Sequence, residues 1–206
     1  AATFAGKVLA ADLNLNFIYG SEKKKWVKEV TDNFNKQKHK TSSSKTIVVH
    51  EKPMGSGENN EELLAGREKA HVFSPASAAF IKLGNARSKK DTGKELVGDT
   101  QNLVLSPVVI AMWKPMAETL GYGKKPLGWS DVLAMINNPK GWNAYNHPEW
   151  GSFKFGHTHP EFSNSGLISL FAEVYAGTGK KRGLTKADVD DPKTAKFLRD
   201  IERGVV

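Results

Sequence analysis

The stretch LNLNFIYGSEKKKWVKEVTDNF, residues 13–34, decides the fold. Apolar and polar side chains alternate from Leu13 to Phe17, and this period of two predicts a β-strand that ends near Gly20. Ser21 follows at once and is a typical helix N-cap. Apolar side chains then recur at helical spacing, at Trp26, Val27, Val30 and Phe34. A strand that turns directly into an amphipathic helix is the first half of a βαβ unit.

The same order repeats twice further along the chain. Residues 46–50 (TIVVH) and 70–73 (AHVF) are predicted as short buried strands, and a helix is predicted after each. The resulting order, βαβαβα, predicts the α/β class with a parallel sheet and right-handed crossover helices. Such sheets bind ligands at the carboxyl ends of their strands.

A second structural unit is predicted in the remaining half. Residues 103–113 (LVLSPVVIAMW) are apolar and β-branched, which indicates that a second unit begins near here. We therefore expect two lobes, residues 1–105 and 106–206. Helices are predicted in the second lobe at 115–120, 129–136, 167–175 and 191–203.

Composition excludes several classes of protein. The chain has 206 residues, 39% hydrophobic content and no cysteine, so it can bury a core but forms no disulfide and uses no thiol chemistry. No apolar run approaches the ~20 residues of a membrane-spanning helix. The net charge of +8 is spread along the chain, which does not favour nucleic-acid binding. The lysine-rich segment 23–45 is interpreted as a solvated face.

Small hydroxyl residues and glycines follow a predicted strand or precede a predicted helix at four places. These places are Gly20-Ser21, residues 55–57, residues 74–77 and residues 163–166. Helix N-termini present unpaired N–H groups, so several of them at one site bind an anion. For any single serine, ordinary N-capping is the favoured explanation, and it is the repetition at four places that favours a binding site.

Five segments together resemble the type II periplasmic solute-binding proteins, in the branch near molybdate-, sulfate- and iron-binding proteins. That branch includes the solute-binding segments that precede von Willebrand A domains. The segments are SPAS (74–77), SPVVIAM (106–112), AETLG (117–121), GWSD (128–131) and FGHTHPEFSNSG (155–166). The resemblance covers residues 13–206.

The resemblance implies two α/β lobes, mostly parallel sheets and a hinge that closes on a small ligand between the lobes. It implies a periplasmic or extracellular protein, tethered to the membrane in its full-length form, that serves ABC-type import or sensing. The partner would be an importer permease or a fused von Willebrand A domain. No cofactor and no nucleic acid are expected. The implied ligand-binding residues are Ser21, Ser74, Ser77, Ser106, Thr158, Ser163 and Ser165.

The same resemblance implies that the chain is a fragment. Residues 108–112 would form the first strand crossing between lobes, and members of the family return to the first lobe after the point where this chain stops. Ser56 is a weaker ligand candidate, because its loop lies further from the ligand in such proteins. The expected ligand is an oxyanion, since hydroxyls and backbone N–H groups suit sulfate, molybdate or phosphate.

An alternative interpretation is a metal-binding or metal-dependent enzyme domain. His157, His159 and Glu161 combine imidazole and carboxylate donors, which are common ligands of zinc and iron. All three would come from one loop, and the HExxH helix of metalloproteases is absent from the sequence. Residues 55–57 lack the frame of a catalytic serine, and no phosphate-binding loop motif occurs. The sequence therefore favours a binding protein over an enzyme.

Overall fold

A computed structural model describes residues 12–206, so the first eleven residues of the predicted first lobe lie outside the described part. The described chain forms two compact units. One contains residues 12–101 with 162–164, and the other contains residues 102–161 with 165–206. The predicted lobe bounds, the hinge and the cleft between lobes stay predictions.

Strands and helices alternate in the first unit, as the sequence predicts. Its elements are β1 (Leu13–Gly20), α1 (Lys24–Lys36), β2 (Ile47–Met54), α2 (Ser56–Leu64), β3 (Val72–Ser74) and α3 (Ala78–Thr92). A short 3-10 turn, Ser21–Lys23, separates β1 from α1. The α/β class and the parallel sheet are confirmed.

The sheet has the strand order β2-β1-β3, and both pairs are parallel. β1 is central, and its carboxyl-terminal half is the most buried part of the sheet: Ile18 is 2% exposed and Tyr19 is not exposed. α1 covers β2, where the Asn35 amide donates to the Val49 carbonyl and accepts from the Val49 N–H, both at 2.9 Å. This side chain satisfies the backbone N–H and C=O of one residue, Val49, on the outer edge of β2.

The second unit is helical in its described part. Its elements are α4 (Lys114–Thr119), α5 (Trp129–Ile136), α6 (Asn164–Thr178), α7 (Lys186–Asp190) and α8 (Pro192–Glu202). Leu120, Met135 and Trp142 form a core cluster, against which Trp150 and Phe153 pack. α8 begins as predicted, because Asp191 accepts a hydrogen bond from the Thr194 N–H at 2.9 Å and Pro192 occupies the first helical position.

The crossing strand predicted at residues 108–112, within the apolar stretch 103–113, is wrong. This stretch has no helix or strand, and several of its apolar side chains are exposed, with Leu105 at 87% and Val109 at 72%. A strand needs a neighbour to pair with its N–H and C=O groups. Within residues 12–206 no strand pairs with this stretch, so its β-branched composition alone does not produce one.

Candidate functional site

The register of the sheet brings three serine-bearing loops to one edge. Tyr19 pairs with Ser74 on one side of β1, and Gly20 pairs with Met54 on the other. Neighbouring strands lie about 4.8 Å apart, so the loops that leave them start side by side. We call this edge, formed by residues 20–21, 54–57 and 74–77, the serine-bearing edge.

Two serines of this edge have structural roles. The Ser56 side chain is buried, and its Oγ accepts a hydrogen bond from the Ala76 N–H at 3.0 Å, which ties the second loop to the third. Ser77 Oγ accepts from the Ala79 N–H at 3.1 Å and caps α3. For Ser77 the N-cap alternative therefore describes what the side chain does in this structure.

Ser21 and Ser74 differ from these two. Ser21 is exposed in the 3-10 turn, and Ser74 is half-buried at the end of β3. Within residues 12–206 neither hydroxyl makes a side-chain hydrogen bond to the protein. Their hydroxyls are therefore the donors that this edge offers to a ligand.

The N-terminus of α2 is already bound by the protein itself. The Gly57 N–H donates to the Phe162 carbonyl at 3.2 Å, and Glu58 accepts from the Gly55 N–H at 3.3 Å. A Cβ atom on Gly55 would lie 2.5 Å from the Phe162 oxygen, so glycine permits this approach. Ser163 was predicted in the second lobe, but these contacts group residues 162–164 with the first unit.

Two predicted ligand residues of the second unit lie together. Thr158 Oγ1 and Ser165 Oγ are 2.8 Å apart, and both side chains are exposed. A Cβ atom on Gly166 would lie 2.0 Å from the Thr158 carbonyl oxygen, so the first turn of α6 packs directly on residues 158–159. Ser106 is exposed in the irregular stretch 101–113. Within residues 12–206 it makes no hydrogen bond to Thr158 or Ser165.

A second cluster is formed by His157, Glu173 and Glu202. One ligand atom from each side chain lies within 4.8 Å of the other two. His157 Nε2 is 3.0 Å from Glu202 Oε1, and His157 Nδ1 donates to the Thr158 carbonyl at 2.8 Å. Glu173 is completely buried, and neither of its oxygens accepts a hydrogen bond from a donor in the described chain.

The electrostatics of this cluster favour bound protons. Burial, together with the negative charge of Glu202, raises the pKa of Glu173 to about 8. Burial lowers the pKa of His157, but its hydrogen bonds to the Thr158 carbonyl and to Glu202 outweigh that effect and the net pKa is raised. Both shifts show that the buried cluster resists holding two uncompensated negative charges.

The metal-ligand set proposed from sequence shares only His157 with this cluster. His159 Nδ1 accepts from the Glu161 N–H at 3.3 Å, which is a contact within the loop. Sequence reasoning missed Glu173 and Glu202 because they lie on helices distant in sequence. One signal was present: Glu173 is the single charged residue in the apolar run 167–177.

A pocket of about 790 Å³ lies in the second unit, beside residues 110–114, α4 and α5. Its size is typical of ligand pockets. Its walls are mostly apolar, and two of its polar side chains already pair, with Lys125 Nζ 2.6 Å from Asp131 Oδ1. That ion pair is the first cause of the lowered pKa of Asp131. The pocket contains none of the predicted ligand-binding residues.

A parallel sheet whose strand-to-helix loops meet at one edge defines an α/β protein of the kind that binds ligands there. The sequence profile of the bacterial extracellular solute-binding protein family matches residues 15–205, and the chain belongs to this family. No significant match was found among curated proteins or among solved structures.

Family membership implies a small-molecule ligand, a periplasmic or extracellular location and, in many members, a transporter partner. Solute-binding proteins of this kind are normally not enzymes. In the described part of the chain, no helix has both the length and the apolar character needed to cross a bilayer.

Proposed function

We propose that this chain captures a small oxyanion at the serine-bearing edge and delivers it to an ABC-type importer. The observation that carries the proposal is the register of the sheet, which sets Tyr19 beside Ser74 and Gly20 beside Met54. The loops of all three strands thus start from one edge. Ser21 and Ser74 then supply hydroxyls that no other group within residues 12–206 engages.

The donors of this edge suit an anion. α3 has 15 residues, and its first turn adds backbone N–H groups and the positive end of the helix dipole. Lys23, the cation nearest in sequence to Ser21, pairs with Glu22 at 2.5 Å. Neutral donors therefore predominate, as expected for a ligand that is bound reversibly through hydrogen bonds. Sulfate, molybdate and phosphate all match this chemistry.

The remaining predicted residues have secondary roles in this proposal. Thr158 and Ser165 form a hydroxyl pair within the second unit and stay proposed ligand residues, and Ser163 lies in the first unit next to Phe162, whose carbonyl binds the Gly57 N–H of α2. Ser77 supports the edge by capping α3. Ser106 remains a proposed ligand residue on the strength of the family resemblance alone.

The partner in this proposal is the permease of a membrane importer, and no chemical step occurs on the bound anion. In the alternative, in which the protein serves a sensor, the same anion-binding step would occur. Tethering to the membrane and fusion to a von Willebrand A domain stay predictions. They concern the protein beyond residues 12–206.

Isothermal calorimetry tests the proposal. The purified chain is titrated separately with sulfate, molybdate and phosphate, and we expect saturable binding of at least one. Ser21→Ala and Ser74→Ala should each weaken that binding about tenfold or more, because a hydrogen bond to a charged ligand contributes roughly 1.5–3 kcal/mol.

Ser43→Ala is the matched control, since Ser43 lies in an exposed turn where, within residues 12–206, its Oγ hydrogen-bonds only to Thr41 Oγ1, at 2.9 Å. Its affinity should equal that of the unaltered chain. The proposal is overturned when none of the three anions binds. It is equally overturned when Ser74→Ala binds as tightly as Ser43→Ala.

A further inference from the structure

The cluster of His157, Glu173 and Glu202 brings one possible metal-ligand atom from each side chain to a common centre. A carbonyl oxygen can only accept, so His157 Nδ1 carries the hydrogen that it donates to Thr158 at 2.8 Å. Nε2 lies 3.0 Å from Glu202 Oε1 and donates to it when the ring is protonated, whereas in the neutral ring Nε2 carries a lone pair that can ligate an ion. The two buried oxygens of Glu173 face the same centre without a donor from the described chain.

We propose that this cluster is a binding site for a divalent transition-metal ion, with Zn²⁺ as its ligand. His157 Nε2, a carboxylate oxygen of Glu173 and a carboxylate oxygen of Glu202 are the protein ligands. A Zn²⁺ ion would supply the positive charge that faces all three acceptors. Two carboxylates and one divalent ion together are neutral, which removes the cost of burying Glu173 as an anion.

The geometry of the cluster fits such an ion. Ligand atoms about 2.1 Å from a tetrahedral zinc ion lie about 3.4 Å from each other. The distance of 3.0 Å between His157 Nε2 and Glu202 Oε1 is close to this value, and every ligand pair is within 4.8 Å. Rotation about the terminal torsion of a glutamate side chain costs little and closes the remaining gap.

The orientation of His157 is the one found in metal sites. Histidine ligands of metals usually donate their other ring N–H to a carbonyl or carboxylate, which fixes the tautomer. Here the Thr158 carbonyl accepts from Nδ1 and leaves Nε2 for the ion. The imidazole also decides the class of metal, because Ca²⁺ and Mg²⁺ prefer oxygen ligands only.

The three ligands are held by packed elements of one unit. Phe155 forms an isolated parallel bridge with Val205, and its carbonyl accepts from the Val206 N–H at 3.0 Å, which holds the His157 segment against the end of α8. Glu202 is the last residue of α8 and Glu173 lies within α6. The Glu202 side chain is 34% exposed, so an ion enters from its side, whereas His157 is only 8% exposed.

This inference does not depend on the proposed function. All three metal ligands belong to the second unit, whereas Ser21 and Ser74 belong to the first. The two sites also take ligands of opposite charge. A failure to bind anions therefore does not contradict the metal site, and a failure to bind zinc does not contradict the anion proposal.

The test is a calorimetric titration of the whole chain, freed of metal by a chelator, with ZnCl₂. We expect one ion per chain with a dissociation constant below about 10 µM. Glu173→Gln preserves shape and burial but removes the negative charge, so zinc affinity should fall at least tenfold while the far-ultraviolet circular dichroism is unchanged. If Glu173→Gln does not fold, Glu202→Gln serves instead, because that side chain is partly exposed and its replacement does not disturb the core.

His159→Gln is the matched control, because it removes the other imidazole of the same loop and leaves the cluster complete. Its zinc affinity should equal that of the unaltered chain. Two results overturn the proposal. One is the absence of stoichiometric zinc binding. The other is zinc binding that survives Glu173→Gln and Glu202→Gln but is lost in His159→Gln, which would assign the metal to the loop instead.

Discussion

The serine-bearing edge and the His157, Glu173 and Glu202 cluster differ in their hydrogen-bonding groups. The edge offers donors, the hydroxyls of Ser21 and Ser74 and the N–H groups of a helix terminus. The cluster offers acceptors, two carboxylates and a ring nitrogen. An excess of donors selects an anion and an excess of acceptors selects a cation or a proton. The charge of each ligand can therefore be inferred before the ligand is identified.

The largest expected effect is that of pH on the free energy of unfolding, through the cluster of His157, Glu173 and Glu202. The pKa of Glu173 is about 8 in the folded chain and 4.5 ordinarily, so the folded state binds more protons between these values. Stability should therefore fall as the pH rises through this window, by up to about 1.4 kcal/mol per pH unit. The raised pKa of His157 acts in the same direction above its ordinary value of 6.5.

Urea denaturation of the chelator-treated chain between pH 5 and pH 8 measures this slope. Asp131, whose pKa is lowered from 3.8, titrates below the window and does not contribute there. Glu173→Gln should flatten most of the slope. A chain that becomes more stable from pH 5 to pH 8 would contradict the assignment of a protonated, buried Glu173.

A smaller effect is expected from the glycine that lets α6 pack on the His157 loop. Gly166→Ala places a Cβ atom 2.0 Å from the Thr158 carbonyl oxygen, so the backbone must move. We expect a loss of about 1–3 kcal/mol in the free energy of unfolding, as for other overpacked sites. Gly98→Ala is the control, because its Cβ meets nothing within 4 Å and the unfolding free energy should change by less than about 0.5 kcal/mol.

A third test compares two serines of the serine-bearing edge, one with a structural role and one proposed to bind the ligand. Ser77→Ala removes the N-cap of α3 and should reduce the unfolding free energy by about 1 kcal/mol. Ser74→Ala should change it by less than about 0.5 kcal/mol, since the Ser74 hydroxyl bonds to no group in residues 12–206. Thermal or urea denaturation checks both. Equal losses would show that Ser74 also has a structural role.

The smallest effect is expected from the lysine-rich helix, which contributes to neither site. Lys28 Nζ is 3.0 Å from Asp32 across one turn of α1, and both side chains are about half-exposed. Lys28→Ala should change the unfolding free energy by about 0.3 kcal/mol, the usual value for such pairs. Anion affinity at physiological salt should not change. A large fall in affinity would mean that this charge takes part in binding the anion.

Local patterns predicted much of the fold. β1 and its following helix were predicted from period-two and period-3.6 patterns, and α5 has the predicted bounds, Trp129–Ile136. The prediction failed at residues 103–113, whose apolar composition is as suitable for a strand as that of β2. Strand formation depends on a pairing partner, and a partner is a property of the tertiary structure.

The candidate sites were predictable to different degrees. Ser21 follows β1 directly and Ser74 is the last residue of β3, so their position at one sheet edge follows from the βαβ order. The roles of Ser56 and Ser77 depend on which N–H each hydroxyl reaches, and the sequence does not specify this. Glu173 and Glu202 join His157 only through the packing of α6 and α8, which no local motif encodes.

The length of the strand pairings affects how the serine-bearing edge opens. β1 pairs with β2 at eight positions but with β3 at only three, and Val72 in β3 is 48% exposed. Short, exposed pairings have the lowest free energy of local opening and lose hydrogen-exchange protection first. Ser74 thus lies on the strand that detaches most easily, whereas Ser21 follows the best-protected one. Binding that engages both would transfer protection from β1 to β3, so an occupied edge would resist exchange as one unit.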